Sequence, residues 1–166
     1  MKSIMPADLM FTFNNHSPLS QAIATETHAK ISHVQCVLDI GISGTLYVMS
    51  AEAEGFVPKW VIPETLDWQT TLTCPKLTLK ERDQITKWMW DHKDVDYDVW
   101  GLGSFLLNID TNTEAKLFCS EACFLGYQEA AGIWLLDGVD HAFISPRDLY
   151  ISPLLKTLTG KKKEVR

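Results

Sequence analysis

Long apolar runs are missing from this chain. At the N-terminus, MKSIMPADLMFTF, Pro6 and Asp8 break the apolar stretch before it reaches the length of a signal h-region. No run elsewhere approaches the roughly 20 apolar residues of a membrane span. Neither a signal peptide nor an integral membrane segment is expected, and the chain is expected to stay in a cytoplasm. Basic residues are also short. Fifteen Lys and Arg against 21 Asp and Glu leave a formal charge of −6, which argues against nucleic acid as the main partner. The basic cluster Lys161-Lys162-Lys163 belongs to a short tail, 161–166, and reads as a solvated end. There is no internal repeat, low-complexity segment or linker, so one domain is expected over residues 1–160. Cysteines number four; in a reducing compartment they are expected to be thiols rather than a disulfide framework. The C-x-x-C of a thioredoxin-type redox site is absent.

What is present suits an ordinary globular core, with 46% hydrophobic and 22% charged residues. Asp8 to Phe13 reads as a short strand. Ser17-Pro18 looks like a helix entry, with weak helical spacing up to about Ala29. His33 to Ile40 alternates, placing Val34, Cys36, Leu38 and Ile40 on one face and His33, Gln35, Val37 and Asp39 on the other. A turn over Gly41 to Gly44 leads into a second strand from Thr45 to Glu52, predicting a hairpin. Phe56 to Ile62 reads as a third extended segment, limited by Pro58 and Pro63. Thr78-Leu79-Lys80-Glu81 has the capping-box form and opens a helix carrying Ile85, Trp88, Met89 and His92. Asp94 to Asp98 reads as an acidic loop and Gly101 to Asn108 as a helical turn or two. Leu117 to Ala131 suits a helix that stops at Gly132, and Ser145-Pro146 starts a last short one. Strands come first and helices later, which predicts an α+β domain with a small, mostly antiparallel sheet.

Two of the cysteines lie in FCSEACF, residues 118–124. Near a helix start the Cys119 thiol meets the positive end of the macrodipole, which favours the thiolate. Cys123 lies one turn further in and is expected to pack. Cys36, alternating with Val34 and Leu38, is read as core filling, and Cys74, before Pro75, as an incidental loop residue. His33 opens its strand on the face opposite the aliphatic stripe. There it can pair with a helix-capping cysteine as general base and later acid. Ser50 and Glu52 share a face of the neighbouring strand and are the candidates to fix its ring. Of the two, Glu52 is the better electrostatic partner for an imidazolium. His92 completes a helical stripe and is read as structural; His16, His28 and His141 have loop-like surroundings and no clear partner. A zinc site could draw on Cys119, Cys123, His28 and His33, but the histidine pair spans a helix-to-strand boundary. No metal and no cofactor are therefore expected.

Taken in order, several motifs resemble a known family. These are Asp8-Leu9, Ser32-His33-Val34, Ser50-Ala51 with Gly55-Phe56-Val57, Tyr97-Asp98, and Phe118-Cys119-Ser120-Glu121. The pattern, running from Asp8 to about Pro153, resembles the circularly permuted NlpC/P60-type papain-like proteins. They include the YiiX/YaeF-like group, the poxvirus relatives and, more distantly, lecithin:retinol acyltransferase-like proteins. The resemblance implies a permuted papain-like fold in which the histidine strand precedes the cysteine helix. It implies Cys119 as nucleophile and His33 as base, with the backbone N–H of Cys119 contributing to an oxyanion hole. Many relatives carry a glutamate before the Gly-Val step, where this chain has Ser50; Glu52 is displaced by two residues. Ser50 orients His33, Glu52 substitutes for it, or the triad is incomplete. The expected activity is thiol-dependent hydrolysis of a peptide, γ-glutamyl or cell-wall-type amide through an acyl-enzyme on Cys119. The alternatives are lipid thioesterase or acyltransferase chemistry, with Trp100 to Leu107 as the apolar surface, and a catalytically inactive binding module.

Overall fold

The computed structural model describes residues 3–13, 21, 25, 28–29, 31–52, 55–65, 68–95, 118–141 and 144–159 of the 166. Six strands run in the order β1 (Leu9–Phe13), β2 (His33–Ile40), β3 (Leu46–Glu52), β4 (Gly55–Val61), β5 (Trp68–Thr73) and, near the C-terminus, β6 (Lys156–Thr159). Between β5 and β6 come α1 (Leu79–Asp91), α2 (Cys119–Ala131) and the short α3 (Pro146–Tyr150). All six strands join one antiparallel sheet, ordered β4-β3-β2-β1-β5-β6. The architecture is α+β, as the order of patterns predicts.

Period-2 alternation divides the sheet into two faces. Leu9, Phe11, Val34, Cys36, Met49, Ala51 and Leu72 enter the large core, where they meet Ile85 and Met89 of α1 and Cys123, Phe124 and Tyr127 of α2. Met10, Val37, Leu46 and Val48 form a smaller cluster on the opposite face. Val37, read from the sequence on a polar face, packs in this second cluster. The β2–β3 register shifts between Val37 and Asp39. Past that shift Ile40 leaves the aliphatic stripe expected for it and is 39% exposed.

α1 starts as its capping box predicts. The Glu81 N–H donates to Thr78 Oγ1 at 3.2 Å, and the Thr78 N–H donates to Glu81 Oε2 at 2.7 Å. One turn in, Arg82 is buried and its guanidinium donates to Asp8 Oδ1 (2.8 Å), the Pro6 carbonyl (2.6 Å) and Thr73 Oγ1 (2.9 Å). Asp8 therefore ties the start of β1 to α1. At the far end the His92 ring stacks on Trp88 with centroids 3.8 Å apart and donates through Nδ1 to the Trp88 carbonyl at 2.8 Å. α2 ends at Gly132, whose φ of 66° is the left-handed stop expected of it.

Two strands were not legible. β5 lies between the extended segment that ends before Pro63 and the capping box at Thr78, where no element was expected, and β6 pairs on its outer edge. Cys74, directly after β5, is fully buried in the main core. That corrects its reading as an incidental loop residue. The expected helix over 17–29 falls mostly outside the described residues. So do His16, the acidic loop beyond Val95, the segment 101–108 and the tail 161–166. Among the described residues no helix is long and apolar enough to cross a membrane.

Candidate active site

Pairing between β2 and β3 begins at Cys36 with Met49 and runs away from the start of β2. His33 and Val34, and opposite them Ser50 to Glu52, lie beyond the last pair, where the two strands part. β3 instead stays paired with β4 out to Glu52 and Gly55. The candidate residues gather at this opening.

On the β2–β3 side, Ser50 is fully buried and its hydroxyl is the hub. His33 Nε2 lies 2.8 Å from Ser50 Oγ, and Gln35 Nε2 donates to the same oxygen at 3.1 Å. Ser50 in turn donates to Glu52 Oε1 at 2.5 Å. Lys59 of β4 pairs directly with that carboxylate. His33 itself stands 3.8 Å from Glu52 Oε1. Burial pushes the Glu52 carboxyl up, but hydrogen bonds from Lys59 and Ser50 outweigh it and hold the group below its ordinary pKa. An ionised Glu52 takes the single Ser50 proton. Ser50 Oγ must then accept from His33, so the neutral imidazole carries its hydrogen on Nε2 and presents Nδ1 as the base. Of the alternatives open in the sequence, Ser50 touches the ring and Glu52 acts on it through Ser50.

Cys119 arrives from the helix-packed side as the first residue of α2, 6% exposed. Its sulfur is met by the backbone N–H groups of Val34 and Ser120. Val34 lies in the unpaired opening, so its N–H is turned to the sulfur rather than to β3. The Ser120 hydroxyl is also near, but its proton is committed to the Ile144 carbonyl at 2.6 Å. Among the described residues no hydrogen bond joins Cys119 to His33; the sulfur is held one residue further along β2.

The electrostatics correct one expectation. Burial raises the Cys119 thiol to about 11, against the two N–H donors and with the Glu52 charge adding to the rise. His33 is lowered to about 4 by burial, with Glu52 raising it and Lys59 lowering it. Desolvation outweighs those donors here, and at neutral pH both groups are uncharged rather than a thiolate–imidazolium pair. Cys123, one turn in, is pushed well above the usual thiol range by burial and packs in the core as expected.

His141 was read as lacking a partner. In the structure its Nδ1 lies 2.7 Å from Glu121 Oε1. Glu121 also accepts the Phe118 N–H at 3.4 Å, so the loop ending at His141 is tied to the first turn of α2. A separation of 20 residues left no sequence signal for this contact. His28 sits in a turn with φ of 50° and is exposed. Gln35 and Lys59 also belong to the site network and were missed. Gln35 was visible only as a polar residue two positions after His33.

No family model matches this sequence, and no curated protein matches it. The fold is nevertheless one already seen in solved structures: an α+β, YiiX-like arrangement of a six-stranded antiparallel sheet and helices. One such neighbour is the crystal structure of metalloprotein yiiX from Escherichia coli O157:H7. The two superpose with a TM-score of 0.69 at 17% identity, over 94% of this chain and 97% of that one. At that identity the likeness is one of fold.

Proposed function

We propose that this protein is a thiol-dependent hydrolase of amide bonds on a permuted papain-like fold. The observation that carries the reading is the hydrogen-bond chain His33–Ser50–Glu52, which leaves Nδ1 as the free base at the opening where Val34 holds the Cys119 sulfur. His33 Nδ1 takes the thiol proton as the sulfur attacks the substrate carbonyl carbon. The oxyanion is met by the Cys119 backbone N–H at the start of α2. As the C–N bond breaks, His33 returns the proton to the leaving amine and a thioester remains on Cys119. Water, deprotonated by the same nitrogen, then releases the acid and regenerates the thiol. Because the resting pair is neutral, the proton moves during attack rather than before it.

The fold neighbour is described as a metalloprotein. Among the described residues here, no three His, Cys, Asp or Glu side chains converge as a ligand set, and Glu52 is taken by Lys59. These residues do not fit a metal. A second reading, a binding module that keeps the fold without turnover, is favoured by the missing Cys119–His33 hydrogen bond. For lipid acyl chemistry, the apolar segment Trp100 to Leu107 lies outside the described residues.

The test is iodoacetamide labelling with peptide mapping across pH. Cys119 is expected to label faster than Cys36, Cys74 and Cys123, with a rate that climbs above pH 9 and falls in His33→Ala. Equal labelling of all four thiols in the folded protein would overturn the hydrolase reading.

A further inference from the structure

We propose that the sheet face carrying His33 holds a subsite for a neutral N–H donor, the amide or carboxamide nitrogen of the substrate. Among the described residues, the buried side-chain atoms without a hydrogen-bond partner are Gln35 Oε1, Gln69 Oε1 and Thr71 Oγ1. The register places all three on one face of three adjacent strands. Met10 pairs with Gln35 on one side and Thr71 on the other, while Thr12 pairs with His33 and Gln69. Positions 10 and 12, 33 and 35, and 69 and 71 each share a face by alternation. The three unpaired atoms therefore occupy two adjacent cross-strand rows, one of which begins at His33. None lies on the face packed by the helices.

Buried polar groups are normally paired, and a cluster of exceptions calls for a partner. The chemistry of that partner follows from the atoms. Gln35 must donate through Nε2 to Ser50, whose own proton goes to Glu52, so its Oε1 is free only to accept. Gln69 likewise presents a carbonyl oxygen, and Thr71 a hydroxyl that can accept. The ligand group therefore donates. It is also uncharged: these rows carry no carboxylate, and Glu52 is neutralised by Lys59, so among the described residues a buried ammonium would find no counter-ion. An amide N–H meets both conditions. The assignment rests on the hydrolase reading only in calling the ligand a substrate.

Binding is tested without turnover, in the full chain with Cys119→Ala. Three probes of similar size are compared: butyramide, butylammonium and methyl butyrate. Butyramide is expected to shift the Gln35 and Gln69 side-chain amide signals in ¹H–¹⁵N NMR spectra, saturably, while the other two do not. Thr71→Val and Gln69→Leu are each expected to weaken butyramide binding about tenfold. Thr71→Val, which removes an unpaired buried hydroxyl without changing shape, should also raise the Tm of the free protein. Should Thr71→Val fail to fold, Gln69→Leu at its half-buried position gives the same reading. Equal response to the three probes, no response to butyramide, or unchanged affinity in the folded variants overturns the subsite. Specific butyramide binding without selective Cys119 alkylation would instead remove the hydrolase reading and leave the subsite standing.

Discussion

Replacing Ser50 with alanine removes one oxygen and strands two donors. Ser50 Oγ accepts from His33 Nε2 at 2.8 Å and from Gln35 Nε2 at 3.1 Å, and donates to Glu52 at 2.5 Å. In Ser50→Ala the Gln35 amide is left buried without an acceptor, at a cost of about 1–3 kcal/mol. His33, whose side chain is 23% exposed, recovers part of its loss from water, so its contribution is nearer the low end of the same range. Glu52 keeps Lys59. The sum is about 2–4 kcal/mol, which for a chain of this size lowers Tm by roughly 4–16 °C. Urea or thermal unfolding measures it. A second substitution separates stability from chemistry. Gln35→Leu added to Ser50→Ala removes the stranded amide and should restore much of the loss, because the two side chains are directly coupled. It should not restore His33, whose tautomer is then unfixed, so the alkylation rate of Cys119 and its pH profile stay altered. A Tm change in Ser50→Ala below about 2 °C, or a double variant no more stable than the single one, would refute the hub role of Ser50.

Two further outcomes follow from the charges. His33 is held at about 4 in the folded chain, below its ordinary 6.5. The unfolded chain therefore binds a proton that the folded one refuses, so this contribution to stability is complete above pH 6.5. It is lost as pH falls towards 4 and amounts to at most about 3 kcal/mol. Denaturation series across that window should show the slope in the wild type and a flatter one in His33→Gln. In the second case, Arg82→Met leaves Asp8 buried without its guanidinium and should cost about 3–5 kcal/mol by urea denaturation, whereas Asp8→Asn with Arg82→Met together should cost less than Arg82→Met alone.

The hairpin β2–β3 and the two long helices were legible because their signals are local: strict alternation, a capping box, a glycine stop. β5 was not, because WQTTLT carries threonine on both faces, and threonine alternating with threonine shows no amphipathic period. Its burial comes from Leu9, Met10 and Phe11 beside it, residues about 60 positions away in sequence. Cys74 was misread for the same reason: the proline after it signals a loop, while its burial depends on a distant core. At the site, residue types and order singled out Cys119, His33, Ser50 and Glu52, but not how they connect. The series through Ser50 depends on where β2 and β3 part, and the raised thiol depends on burial. Both are tertiary quantities that no spacing encodes.

The place of β1 in the sheet has a consequence for how the molecule comes into being. Its five residues precede those of every other strand, yet they lie in the interior of the sheet, between β2 and β5. Asp8, just ahead of them, waits for Arg82, and the carbonyl of Ala7 waits for the hydroxyl of Tyr127. During synthesis the strand can pair with β2 early, but its other edge stays open until β5 has emerged. A β1–β2–β3–β4 meander can form first, from contacts closer in sequence than those between β1 and β5. Closure of the long loops around β1 then sets the pace, as it does wherever distant pairings dominate. A chain stalled midway through translation would expose Leu9, Met10 and Phe11 as an unpaired apolar edge, the segment a chaperone would be expected to hold.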